Sequence, residues 1–296
     1  MRVLIVSLVV ATLIGIACTV LWWQSITPSG DRDWAPDVAR TTTGEASASS
    51  VTLHNVRNFT WRSETDVDEH WETRHYHLDQ LTSVDLIVSY WTVPAIAHTL
   101  VSFGFSDGQR VVFSVEIRKE KGEEFSEIGG FLKRFELSVI AADERDIIGV
   151  RSQVRDEKVF LFRTQLNAAD RRALFLAYMS EANALAATPR FYHTLTANCT
   201  TIVFGMMQRI IDDLPWDYRL LLSGYLPNYV YDLGGLDSRY SFATLERMGY
   251  VSRRANAALV EPLDVRSNKA TSALSDARAS AEFSRAIRLG IPELPH

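Results

Sequence analysis

The 296-residue chain holds two cysteines, and their surroundings differ. Cys199 follows Thr196-Ala197-Asn198, short polar side chains of the kind that cap helices, and precedes Ile202, Val203, Met206 and Ile210 at helical spacing. This pattern predicts a helix from Cys199 to about Ile211, capped by Asn198. A sulfur in the first turn sits at the positive end of the helix dipole, which favours thiolate over thiol. Thiolate is the nucleophilic form, and a neighbouring imidazole would activate it further. The plainer alternative is a small buried hydrophobe, the usual role of an isolated cysteine.

Histidines at 54, 70, 75, 77, 98, 193 and 296 compete to be its partner. His98 lies in Pro94-Ala95-Ile96-Ala97-His98-Thr99-Leu100, at the entry to an apolar strand. A histidine there is either a hydrogen-bonded core residue or a functional one, because burial without a partner is costly. Asp107-Gly108 predicts a hairpin between Thr99–Phe105 and Val111–Ile117. Alternation in the second strand buries Val111, Phe113, Val115 and Ile117 and turns Ser114 and Glu116 to the other face. A one-residue bulge at the turn would set Ser102 against Ser114 and Leu100 against Glu116, with His98 on their face and Glu116 diagonal to it. A carboxylate there would orient the imidazole and stabilise its cation. A plain two-residue turn shifts the register by one and destroys the match. Glu116 is equally able to pair with Arg118 or Lys119.

Other polar groupings carry less chemistry. His70, His75 and His77, with Glu69 and Glu72, include a His-x-His pair suited to zinc, but two further ligands at a known spacing are missing. They read as a wet strand edge, and neither metal nor cofactor is expected. Arg118-Lys119-Glu120-Lys121-Gly122-Glu123-Glu124 and Asp143-Glu144-Arg145-Asp146 read as solvated loops. No Gly-x-Gly-x-x-Gly, P-loop or Gly-x-Ser-x-Gly motif occurs.

These residues need a frame. Strand signals dominate from 51 to 163, in Leu86–Thr92, Thr99–Phe105, Val111–Ile117, Phe135–Ala141 and Val159–Phe162. Asn167, a cap by residue type, is followed by a helical period through Ala187 on Leu174, Tyr178, Glu181/Ala182 and Leu185. Strands followed by helices predict an α+β domain over 51–255 with an antiparallel sheet. Residues 256–296, rich in Ala, Ser and Arg, read as a loosely packed helical tail, and 25–50 as a disordered linker. Trp216, Tyr218, Tyr225, Tyr229 and Tyr231 either pack or line a path to the site.

Ahead of the linker, Val3 to Trp23 is uncharged and would span about 31 Å as a helix, the thickness of a hydrocarbon core. It ends in Trp22-Trp23, an interfacial pair, and residues 1–24 read as a transmembrane anchor. Ala17-Cys18 looks like the end of a lipobox, yet Gly15 stands where Leu is usual and the chain stays apolar beyond Cys18. A cleaved signal peptide would be shorter. Arg2 before the helix and Asp31, Arg32 and Asp33 after it place the body outside the cytoplasm. The formal charge of −5 argues against phosphate-neutralising nucleic-acid binding.

Several runs taken together resemble the DUF4105 family, also described as the periplasmic domain of the bacterial lipoprotein N-acyltransferase Lnb. They are His98-Thr99-Leu100-Val101-Ser102-Phe103-Gly104-Phe105, Phe113-Ser114-Val115-Glu116-Ile117-Arg118-Lys119-Glu120, Ala142-Asp143-Glu144-Arg145-Asp146, Pro189-Arg190-Phe191-Tyr192 and Asn198-Cys199-Thr200-Thr201. More distantly, a strand histidine followed by Asn-Cys at a helix start is similar to permuted papain-like enzymes, the NlpC/P60 hydrolases and lecithin:retinol acyltransferase relatives. The resemblance implies a permuted papain-like fold with Cys199 as nucleophile, His98 as base and Glu116 in the third place. It further implies a thiol acyltransferase of the inner membrane, its catalytic domain periplasmic, drawing on a phospholipid acyl donor and a lipoprotein acceptor. The Lnb proteins carry further membrane helices after this domain, whereas here the apolar helix precedes it. A cell-wall peptidase or amidase using the same dyad, and an inert tethered binding domain, are the alternatives.

Overall fold

The structure, a computed structural model, describes residues 2–124, 127–259 and 269–294. Its first helix, α1 (Arg2–Ser25), buries none of its residues and is long and apolar enough to cross a membrane. Strands β1 (Thr43–Ala46), β2 (Ser50–Arg57), β3 (Thr60–Trp61), β4 (Val67–Asp68), β5 (Trp71–His77), β6 (Leu81–Tyr90), β7 (His98–Phe105), β8 (Arg110–Arg118), β9 (Glu136–Ala142) and β10 (Lys158–Arg163) follow. Interspersed and after them come α2 (Glu127–Phe131), α3 (Glu144–Gly149), α4 (Ala168–Ala187), α5 (Thr201–Met207), α6 (Leu226–Asp232), α7 (Phe242–Gly249), α8 (Ser252–Leu259) and α9 (Lys269–Ile287). The main sheet runs β1-β2-β9-β8-β7-β6-β10, with β5 also on β2. Arg57 meets Ala142 in parallel, so the sheet is mixed and not the purely antiparallel one expected.

Both faces of the sheet are covered, and β7 and β9 are accordingly buried at nearly every position. On one face Val101, Phe103, Val111, Phe113 and Val139 form a core with α4 and α5. Asn167 starts α4 by accepting the Asp170 N–H at 2.9 Å. One turn apart, Leu174, Phe175, Tyr178, Ala182 and Leu185 then face the sheet and are buried. Phe175 meets Phe103 edge-on at 5.1 Å and Tyr178 stacks on Phe113 at 5.0 Å. Each such ring contributes about 1.5–3 kcal/mol by burial alone. On the other face, Ile87, Leu100, Val112 and Ile140 pack with Ile147, Val251, Ala255, Phe283 and Ile287 of α3, α8 and α9 and the residue before α8.

Four expectations are revised. Packing begins well inside the expected linker: Trp34, Ala35 and Val38 are buried and β1 pairs with β2. The Asp143–Asp146 run is not a solvated loop. Asp143 caps α3, and Asp146 receives Arg57 at 2.8 and 3.1 Å and the Trp61 indole at 2.7 Å. Arg118, expected in a solvated run, instead ends β8 and donates to the carbonyls of Val38 and Ala39. The end of the C-terminal tail is packed rather than loose. Phe283 and Ile287 are buried, and Arg288 clamps Asp85 at 2.7 Å and Glu144 at 2.5 Å. Residues 260–268 of that tail lie outside the described residues.

Candidate active site

The β7–β8 hairpin decides the geometry. Phe105 N–H donates to Gln109 O at 3.0 Å across a turn of Ser106-Asp107-Gly108, with Gly108 at φ +90° where a side chain would be strained. Leu100 consequently faces Ser114 and Gly104 faces Arg110, two residues away from the bulged register expected. An even shift keeps every side chain on its face. It also brings Glu116 level with His98 instead of diagonal to it.

His98 Nε2 lies 2.7 Å from Ser114 Oγ and 3.1 Å from Glu116 Oε1. Ser114 spends its own proton on Glu116 Oε1 at 2.7 Å, so it accepts from His98 Nε2–H. That leaves Nδ1 as the nitrogen free to exchange a proton with a thiol. Arg151 donates to the same Glu116 oxygen at 2.9 Å. It reaches inward from a single wide turn after α3, where Arg155 N–H bonds Val150 O at 3.0 Å across five residues.

Cys199 completes the group. Asn198 Oδ1 accepts the N–H groups of Thr200 and Thr201, both at 2.8 Å, and Asn198 O accepts Ile202 N–H at 3.2 Å. Asn198 therefore caps as expected, but the regular turns run only Thr201–Met207, short of Ile211. Cys199 stands on the turn ahead of α5. Its sulfur lies 3.9 Å from Thr200 Oγ1, and the His98 imidazole and the Thr99 backbone N–H favour its charged form. Thr99 is available because the β7–β8 ladder starts only at Leu100.

The electrostatics follow from this chain of contacts. Burial pushes the Cys199 thiol up, but the His98 hydrogen bond and charge, with the Thr99 N–H, outweigh it and hold the thiol below its usual value. Burial likewise pushes His98 down, yet Glu116 and the Cys199 sulfur raise it to about 9. Glu116 is opposed by burial too, and His98 and Arg151 hold it well below the usual carboxylate range. When Cys199 is ionised, thiolate, imidazolium, carboxylate and guanidinium alternate in sign through a mostly buried row, with His98 and Glu116 side chains only 15% and 17% exposed.

The structure brings together Cys199, His98 and Glu116. Arg151 and Ser114 had no role assigned from sequence: an arginine after Ile147-Ile148-Gly149-Val150 announces burial with a partner, but not which partner. The other described histidines lie elsewhere, and His296 falls outside the described residues. His54 and His75 bond Thr73 and Thr52 on the exposed β2–β5 ribbon, and His193 holds its own turn through Nδ1. Gly224 sets the loop ahead of His98, since a Cβ there would meet Pro94 O at 2.0 Å.

A thiol, an imidazole and a carboxylate in sequence form the constellation of cysteine-nucleophile chemistry. The family comparison agrees with the region that holds it. Residues 67–224, more than half the chain, match the Lnb N-terminal periplasmic domain, and the chain belongs to that family. No curated protein and no solved structure matches it. A periplasmic domain behind one apolar N-terminal helix fits a single-pass membrane protein.

Proposed function

We propose that this protein is a thiol acyltransferase of the inner membrane, passing an acyl chain from phospholipid to the N-terminal amine of a lipoprotein. One observation carries the reading: Cys199 is paired electrostatically with an imidazole that favours its thiolate and whose Nε2 is held by Ser114 and Glu116. In the first step the thiolate attacks the acyl ester carbonyl, and the Cys199 N–H is the expected donor to the resulting oxyanion. The C–O bond breaks, His98 gives its proton to the departing lysophospholipid oxygen, and a thioester remains. In the second step the amine attacks the thioester, the C–S bond breaks, and His98 accepts the amine proton as the thiolate is restored. A tether near the bilayer supports a lipid donor by raising its effective concentration.

The test is expression in cells that lack lipoprotein N-acylation, with a reporter lipoprotein weighed by mass spectrometry. One added acyl chain with wild type and none with Cys199→Ser is the expected result. No added chain, or equal gain from both, counts against transfer. Release of peptide fragments from cell wall instead would make the same dyad hydrolytic.

A further inference from the structure

We infer that the end of the sheet bearing His98 and Cys199 docks into the periplasmic leaflet of the membrane α1 is built to cross. This inference stands without the acyl-transfer reading. It begins from where the folded body exposes large apolar side chains. Trp91 (43% exposed) lies in the loop that enters β7 at His98, and Leu132 (55%) in the loop that enters β9. Leu195 (47%) stands on the turn before Cys199. Trp216 (65%) and Leu222 (37%) belong to the segment tied to that first loop by Gly224 N–H to Ala95 O at 3.0 Å and Ser223 Oγ to Ala97 O at 2.6 Å. All are at one end of the sheet. At the other end, the turns at Leu78–Gln80 and Ser106–Gln109 present Asp79, Gln80, Asp107 and Gln109; the exposed apolar side chains on that side are Leu233 (44%), beside the Gly235 carbonyl that accepts the Gln165 N–H after β10, and Leu289 (67%), next to Arg288.

The occupant is identified by α1. Lys133 Nζ donates to Trp23 O at 2.9 Å and to Ile26 O at 3.2 Å, fastening the C-terminus of α1 beside Leu132. Glu136, at the start of β9, accepts the Ser29 and Gly30 N–H groups at 2.8 and 3.1 Å. From Ser25 to Gly30 the chain reaches at most about 18 Å. Since the headgroup layer itself is roughly 5–7 Å deep, the apolar loops stand at the membrane surface. The polar turns lie a strand length, about 25 Å, farther out. Two separate apolar residues at the far end need no explanation, but the cluster gathered at the tethered end does.

The full chain, with Cys18→Ser and Cys199→Ser, is reconstituted in phosphatidylethanolamine/phosphatidylglycerol vesicles. Spin labels are attached at Leu195→Cys, Leu222→Cys and, as a reference, Gln109→Cys. The ratio of oxygen to water-soluble nickel-chelate accessibility is expected to be several-fold higher at 195 and 222 than at 109. Equal, water-like ratios at all sites overturn the inference. A label-free measurement uses brominated lipid: Trp91→Phe/Trp216→Phe is expected to lose part of the quenchable fluorescence. Quenching identical to wild type overturns it as well.

Discussion

Replacing Glu116 by Gln removes one negative charge and leaves the shape nearly unchanged. In the wild-type protein that carboxylate holds His98 Nε2 at 3.1 Å and neutralises Arg151 at 2.9 Å. His98 rises from 6.5 to about 9 against the opposing effect of burial. At 1.36 kcal/mol per unit, this is about 3 kcal/mol favouring imidazolium. With Gln at 116, burial remains and Arg151 becomes an uncompensated like charge, so His98 falls and the thiolate loses its partner. The Cys199 pKa then rises toward the ordinary 9.0. The assay is iodoacetamide alkylation of Cys199 against pH in a Cys18→Ser background. Wild type should alkylate with its midpoint below the ordinary thiol value, and Glu116→Gln with a midpoint shifted upward toward it. Each unit costs tenfold in thiolate, but about threefold returns through the greater nucleophilicity of a more basic thiolate. At pH values below both midpoints the alkylation rate should therefore fall about threefold for every tenfold loss of thiolate. An unchanged midpoint in Glu116→Gln would refute the proposed role of the carboxylate.

The pair also makes a prediction about stability. His98, raised, adds stability that is complete below pH 6.5 and disappears as pH rises through about 9. Cys199, lowered, adds stability present above 9.0 and lost as pH falls through its depressed value, so the two trends oppose one another. Wild type should vary little in Tm between these limits, whereas Cys199→Ser should lose Tm as the solution becomes alkaline; a flat profile for the variant would contradict the ion pair. Arg288→Met leaves Asp85 and Glu144 buried without their shared cation. It should cost about 3–5 kcal/mol, read by urea unfolding, and a loss within about 0.5 kcal/mol, as at an ordinary surface site, would show that α9 does not clamp the sheet.

Much of this protein is written in local pattern. The uncharged run that becomes α1, the Asn167 cap with its helical period, and the apolar alternation of β8 depend on neighbours a few residues apart, so sequence alone determines them. The same holds for Asn198 capping the turn at Cys199, and for Ser114 and Glu116 sharing a face. Tertiary structure decided the remainder. Asp146 and Arg57 are 89 residues apart, and Arg288 and Glu144 are 144 apart, so a charged run that reads as solvated is buried by partners far along the chain. Trp34 and Val38 carry no period because the surfaces they cover come from other elements. The register at the hairpin depended on one glycine's left-handed backbone, and Arg151 reached Glu116 only through a widened turn. Spacing can nominate a thiol, an imidazole and a carboxylate. Joining them takes a sheet register and a buried counter-charge, which are properties of the packed molecule.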